Sequence, residues 1–367
     1  MNRSLICILP SFLDYSGHEI EFINLLSLIA KKNNFKIRFI LPKTNNLKIL
    51  ASNNKILFAD HNANSLMKFF FTIKNYFILK KQFEELKKND LVYIDGYSFY
   101  FLISLIFYLF INRNLTKLII WIRYPYKNKA KRYIFKFLIY LLTKSSSNNF
   151  IPITDNPKLA KELDKTFLIK TSHLPSLHKI EKIYIKNKKS SNSKINILCP
   201  GSYRSEKYGS NLINFLENNI NNNNHFVLNI NKRFDNFYKN SSKLNIKFIK
   251  NNLDKSQYLK EISDCDIVLL PYNSSDYSYR TSGIFFEVIS MCKIVFVSSN
   301  TLMSDDLKKY HLKELIVNDW SNVSVKYLIN IKNNKLIKKK LMKMKLSYAK
   351  IHSKNNFINQ FSRLLNN

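Results

Sequence analysis

Short apolar runs alternate with segments of helical period along nearly the whole chain, and this rhythm restricts the fold to helices packed on parallel sheets. Residues 5–9 form an apolar run closed by Pro10, and 17–31 follow with Ile20, Ile23, Leu26 and Ile29 at helical spacing. The same pairing recurs. Strands are predicted at 35–41, 91–94, 117–122 and 149–153, and helices at 66–88, 97–111 and 127–143. Low hydrophobicity and Ser, Lys and Asn enrichment then mark a linker, most plainly at 186–193. Beyond it, strands are predicted at 195–199, 225–230, 246–250, 267–270 and 294–297, and helices at 210–219, 255–263 and 281–292. Residues 273–279 look like a polar loop, and 335–365 like one or two amphipathic basic helices. The predicted architecture is α/β: two Rossmann-like, doubly wound parallel-sheet domains facing a cleft. The boundaries are an N-terminal domain over 1–170, a linker over 171–193, a C-terminal domain over 194–345, and a terminal helix over 346–367 that packs back on the first domain. Ligands of such sheets bind beyond the C-terminal ends of the strands, so the cleft is the expected site.

A chain of 367 residues with 46% hydrophobic and 14% aromatic residues can build two such cores. Its formal net charge of +34 admits three kinds of partner: nucleic acid, an anionic membrane surface or an acidic substrate. The wealth of Asn, Lys and Ile offers compositional drift as a competing source of that charge. Cys7, Cys199, Cys265 and Cys292 lack metal-ligand spacing and lie in or beside apolar runs, so they read as buried thiols of a reducing compartment. The N-terminus lacks the pattern of a signal peptide. The most apolar stretch, 99–111, is shorter than a spanning helix needs; it reads as a buried helix, with a membrane-dipping helix as the alternative.

Two strand-to-helix turns in the second half carry the chemistry. At 199–209 (CPGSYRSEKYG) a strand ends, Gly201 allows a tight turn and close backbone approach, and a helix starts with unpaired amides. Arg204 and Lys207 add cations suited to a diphosphate. At 266–289 a buried strand ending in Pro271-Tyr272 leads through a polar loop to Arg280-Thr281-Ser282-Gly283 and an apolar helix. Thr281 or Ser282 can cap that helix, and an anion docked at its start gains from the helix dipole. Glu287 sits in the apolar run, where a carboxylate needs a hydrogen-bonding partner, either ribose hydroxyls or the protein's own groups. In the first half, Asp95 and Arg123 each fall where a strand ends, and both are candidates for the acceptor side, Arg123 toward an anionic group. His18, after Gly17 at the end of the first strand, is the histidine best placed for function. No P-loop, GxSxG, HExxH or GxGxxG pattern occurs, and no recognised nucleic-acid-reading module accompanies the charge, so no nucleic acid partner is expected.

These segments, in this order, resemble the group 1 (family 4) glycosyltransferases of GT-B fold. The resemblance runs from residue 4 to about 310. It rests on Ser16-Gly17-His18-Glu19, Thr154-Asp155 with Leu159, the Gly201, Arg204, Lys207, Gly209 spacing, Pro271-Tyr272, Ser282-Gly283, Glu287, and the strand after Met291-Cys292-Lys293. It implies transfer of a sugar from a nucleotide-diphosphate donor to a glycan or lipid-linked acceptor, with retention and with no cofactor. The expected setting is the cytoplasm, and the basic helices at 66–88 and 127–144, with Lys and Arg beside aromatic and aliphatic residues, suit anionic lipid headgroups at the inner face of a membrane. Arg204 and Lys207 would hold the diphosphate and stabilise the leaving nucleotide, the Ser282 and Gly283 amides would bind phosphate, and Glu287 would hold the ribose. Tyr272, Arg280 and Thr281 join the donor-binding set, Gly17 would admit the donor, and His18 would lie near the acceptor. Many retaining members carry a second Glu eight residues before the first; here that position is Tyr279, with Asp276 three residues earlier. Asp264-Cys265-Asp266 spells the metal motif of a different glycosyltransferase fold, but it abuts an apolar strand, so no metal site is expected. The alternatives are a nucleotide-sugar-binding protein without turnover and a basic nucleic-acid-binding protein.

Overall fold

The structure, a computed structural model, describes residues 3–10, 19–42, 55–56, 65–84, 86–87, 89–112, 117–123, 129–146, 149–176, 194–201, 204–236, 245–250 and 253–366. The chain divides into two units, residues 1–176 with 354–367, and residues 177–353. The first unit is a seven-stranded sheet of β1 (Arg3–Ile8), β2 (Phe35–Pro42), β3 (Lys55–Ile56), β4 (Leu91–Asp95), β5 (Lys117–Trp121), β6 (Phe150–Thr154) and β7 (Ser172–His173). Its order is β3-β2-β1-β4-β5-β6-β7, and every pair is parallel. The helices are α1 (Glu19–Lys32), α2 (Ser65–Phe83), α3 (Phe99–Ile111), α4 (Lys129–Ser145) and α5 (Pro157–Phe167). Strand order explains where they lie. The chain moves outward from β1 to β2 and then crosses back to run β4, β5, β6, β7 the other way, so right-handed connections set α1 on one face and α2 to α5 on the other. The latter four pack side by side in that sequence, and β4, buried along its length, shows why both faces must be covered.

The second unit repeats the plan with six parallel strands: β8 (Ile195–Cys199), β9 (Phe226–Asn231), β10 (Ile246–Ile249), β11 (Ile267–Leu270), β12 (Ile294–Ser298) and β13 (Ile316–Val317). Their order is β10-β9-β8-β11-β12-β13. The helices are α6 (Gly209–Asn218), α7 (Lys255–Asp264), α8 (Ser274–Tyr277), α9 (Gly283–Ser290), α10 (Leu302–Lys309), α11 (Val325–Asn333) and α12 (Lys335–Ile351). Local chemistry sets several starts: Asp254 and Gln257 form a capping box on α7, and Thr301 and Ser304 form one on α10. One apolar core of this unit runs from Ile195 to Tyr348.

The last helix, α13 (Lys354–Asn366), belongs to the first unit and packs beside α1. Phe357 stacks on Trp121 at 6.1 Å between ring centroids and meets Phe22 edge-on at 6.2 Å, while Phe361 meets Tyr93 at 5.4 Å. Residues 346–351, grouped with this tail on sequence grounds, instead finish α12 in the second unit. Tyr348 anchors them there by packing on Phe286 and donating to Asp306 at 2.5 Å. Residues 171–173, assigned to the linker, carry the edge strand β7: the Thr171 amide donates to Asp164 at 2.6 Å and the Leu174 amide to the Thr154 carbonyl at 2.8 Å. A two-residue strand has no periodicity to read. The stretch expected to be a loop at 273–279 contains α8, capped by Asn273, and the helix expected from 281 begins at Gly283 with Ser282 as its cap. Helix α3 is only partly buried, because Phe107, Phe110 and Ile111 face outward. Among the described residues no helix is long and apolar enough to cross a membrane. Cys7, Cys199 and Cys265 are buried and Cys292 half-buried, all as free thiols.

Candidate functional site

In a doubly wound sheet the strand order reverses where two neighbouring connections diverge, and the loops leaving that point open a crevice at the C-terminal strand ends. In the second unit the reversal lies between β8 and β11. The residues after β8 include Gly201, Arg204 and Lys207, and those after β11 run from Pro271 to Ser282, so topology brings both candidate turns to one place. The Asn273 amide ties them by donating to the Glu206 carbonyl at 2.9 Å.

Gly201 holds φ at +99°, a conformation that L side chains rarely adopt. A Cβ there would lie 2.8 Å from the Ile284 Cδ1 and 3.6 Å from the Lys207 Nζ. The turn is therefore pressed against both the start of α9 and the Lys207 ammonium. Tyr208, fully buried, braces it by donating its hydroxyl to the Pro200 carbonyl at 2.5 Å. The Arg204 carbonyl accepts from the Lys207 and Tyr208 amides at 2.9 and 3.1 Å, which folds the segment into the turn before α6.

Charge is concentrated here. Burial, and then the neighbouring Arg204 and Arg280, lower the Lys207 pKa to about 8, against a smaller opposing pull from Glu206. Three cations therefore share one electrostatic neighbourhood. The Lys207 Nζ lies 5.7 Å from the centroid of the Tyr272 ring, Tyr272 packs on Tyr277 at 4.5 Å, and the Arg280 guanidinium lies 5.1 Å from the Tyr277 centroid. Arg204 is half exposed and 3.9 Å from Glu206. At the head of α9 the Ser282 hydroxyl accepts from the Phe285 amide at 3.2 Å, and its carbonyl accepts from Phe286 at 3.1 Å. The Gly283 and Ile284 amides precede the first intrahelical bond and form the open end of the helix. Thr281 is half-buried beside them. The buried Tyr272 hydroxyl makes no hydrogen bond of normal length with a described residue.

Glu287 is half-buried one turn further on, and its Oε2 accepts from the Tyr258 hydroxyl at 2.8 Å. Tyr258 also lines a cavity of 130 Å³ at the ends of β8, β9 and β10, together with Gly201, Asn231, Lys250 and Glu261. Sequence reasoning missed that cavity. Its polar residues come from three separate segments, and the one signal that could have found Asn231 and Lys250 is the rule that ligands sit at strand ends.

The other candidates lie apart from this cluster. Gly17 and His18 fall outside the described residues. Asp95 and Arg123, in the first unit, close a two-pronged ion pair, with the Arg123 Nε 2.8 Å from one carboxylate oxygen and a second contact to the other. Burial opposes the guanidinium's charge, but Asp95 outweighs it, and the net effect raises the arginine's pKa. The pair offers a neutral surface where a free cation was expected. Asp266 immediately precedes β11, at the opposite end of the strand from the switch-point loops, and is occupied by Lys332 at 2.9 Å and the Asn196 amide at 2.9 Å. Asp276 sits on α8 and accepts from the Ser275 hydroxyl at 3.3 Å.

No protein-family model matches the sequence, and no curated protein does. Solved structures do. A glycosyltransferase from Rickettsia africae superposes with a TM-score of 0.66 at 12% identity, covering 100% of this chain and 98% of its own. A trehalose-6-phosphate protein from E. coli bound with UDP-2-fluoro glucose superposes at 0.68 with 11% identity and 99% coverage of both chains. The N-terminal domain of trehalose-6-phosphate phosphatase from Candida albicans gives 0.71 at 12% identity, with 100% and 97% coverage. At such identities the likeness concerns the fold. Two Rossmann-like units in one chain, matched nearly end to end by these structures, give the protein the GT-B fold.

Proposed function

We propose that the protein is a glycosyltransferase that binds the diphosphate of a nucleotide-sugar in its second unit and transfers the sugar to a lipid-linked or polysaccharide acceptor. The observation that carries this reading is the convergence of Lys207, Arg204 and Arg280 around the Gly201 turn, beside the open end of α9. Burial and the two neighbouring guanidinium charges together lower the Lys207 pKa, and a diphosphate docked among these cations relieves that repulsion. The cavity reached through Tyr258 and Glu287 takes the nucleoside, with the carboxylate facing the ribose hydroxyls. As the glycosidic bond to phosphate breaks, negative charge grows on the leaving diphosphate, and Arg204, Lys207 and the α9 amides stabilise it. Fixed cations do here what a divalent ion does in other sites, so transfer is proposed to be metal-independent, and by resemblance retaining.

A second reading is favoured by Tyr279, which stands where many retaining relatives carry a carboxylate: the protein would bind a sugar nucleotide without turning it over. One experiment separates the two. UDP-, GDP- and ADP-sugars are screened by thermal shift, and free nucleoside diphosphate is measured with each stabilising donor. Stabilisation with release supports transfer, and stabilisation without release supports the binder. Arg204→Ala and Lys207→Ala should each weaken donor binding by about tenfold to a hundredfold, the range of a lost charge-assisted hydrogen bond. Unchanged calorimetric affinity in both variants defeats the site.

A further inference from the structure

The three neighbouring helices α2, α3 and α4 present an unusual face. Their sequences contain nine Lys or Arg and no Asp or Glu. On an ordinary solvated face both signs intermingle. Eight aromatic side chains on these helices are each more than half exposed, although a soluble surface scatters such groups singly. The pattern is ordered. On α2, Phe70, Lys74, Phe77 and Lys81 fall at i, i+4, i+7 and i+11, which is one stripe of a helix, and all four are exposed. On α4, Tyr133, Phe137, Tyr140 and Lys144 repeat the same spacing, again all exposed, with the Lys144 ammonium 5.9 Å from the Tyr140 ring. Between them α3 turns out Phe107 and Phe110.

The helices are held as one layer. The Ser104 hydroxyl donates to the Thr72 carbonyl at 2.8 Å, joining α3 to α2, and Phe99 meets Phe135 edge-on at 6.2 Å, joining α3 to α4. The stripes therefore lie on a shared, rigid surface of the first unit and not on separate mobile segments. None of the three helices is long and apolar enough to span a bilayer. Aromatic rings that mix with Lys and Arg, and no acid, suit the boundary between headgroups and acyl chains: rings enter the apolar layer while cations meet phosphate.

We infer that the α2–α3–α4 face docks the protein on an anionic lipid bilayer, with Phe70, Phe77 and Phe137 seated at the acyl boundary and Lys74, Lys81 and Lys136 on lipid phosphates. This surface lies wholly in the first unit, so the inference stands whether or not the second unit binds a sugar nucleotide. It also accounts for part of the +34 charge as function, since the cations are placed among exposed aromatics.

The test is flotation of the full chain with vesicles of phosphatidylcholine alone or with one-third phosphatidylglycerol, without any donor present. The expected result is binding to the anionic vesicles that weakens as salt rises, with little binding to the neutral ones. A Phe70→Ser, Phe77→Ser, Phe137→Ser variant should lose at least tenfold in partitioning while keeping its melting temperature and circular dichroism. Lys74→Glu with Lys81→Glu, carried out separately, should weaken anionic binding alone. Three results overturn the inference: no flotation of the wild type at low salt, a triple variant that floats equally well (which would assign the lipid contact elsewhere, as on α12), or a wild type that sediments as a dimer and becomes monomeric in the triple variant, which would make this face a contact between copies. Donor binding, read by thermal shift, is unaffected by any of these outcomes.

Discussion

Burial, and then the charges of Arg204 and Arg280, hold the Lys207 pKa at about 8. The sign of the consequence follows from which protonation state binds phosphate. Below pH 8 the ammonium is already charged and ready for an anion. Above it, binding must first recapture a proton, so donor affinity falls as pH rises. Between pH 7 and pH 9 the charged fraction drops about tenfold, and calorimetric affinity for a nucleoside diphosphate should drop with it, accompanied by proton uptake at the higher pH. Lys207→Arg, charged throughout, should flatten the profile. A flat wild-type profile would mean that this ammonium does not touch the ligand. The residue-level signals in the sequence were of two kinds. The Gly201, Arg204, Lys207 spacing was legible because one short turn carries all three. The partnership of Tyr258 with Glu287, and of Asp95 with Arg123, was not, since each joins residues nearly thirty positions apart.

Elements were readable to the extent that each carries its own period. Strands β8 and β11 match the apolar runs that predict them, because a strand buried on both faces is a continuous apolar stretch with turn residues at its ends. The two-residue strands β3, β7 and β13 left no such mark. Helix α13 shows the other limit. Its amphipathic pattern announces a helix and an apolar face, and the aromatic stack it completes with Phe22, Trp121 and Tyr93 exists only in the folded chain. Phe357, almost wholly buried in that stack, should cost about 3–5 kcal/mol of stability when replaced by Ala. Chemical denaturation followed by tryptophan fluorescence is the measurement, since Trp121 stacks directly on the removed ring. A loss below about 1 kcal/mol would show that α13 is not integral to the first unit.

At the scale of the whole molecule, the chain carries two separately built cores, and the continuous core of the second unit includes no residue of the first. Cores that share no side chains unfold with some independence. Calorimetry should resolve two transitions, and a nucleoside diphosphate at a hundredfold excess over its Kd should stabilise one of them by about 2.7 kcal/mol and leave the other in place. A single transition that moves as a whole would show that the two units unfold as one.

What the sequence determined by itself was local: the alternation of strand and helix, the break between halves, and the turn at 199–209 with its cations. Each of these is encoded within a few consecutive residues, where backbone preference and side-chain period act directly. Tertiary structure decided the rest. It brought Ile284 against Gly201 and set Arg280 near Lys207, it neutralised Arg123 with Asp95, and it aligned three helices into one basic, aromatic face. Those relations depend on which strands become neighbours, and strand order is a property of the packed sheet that no single segment of the chain contains.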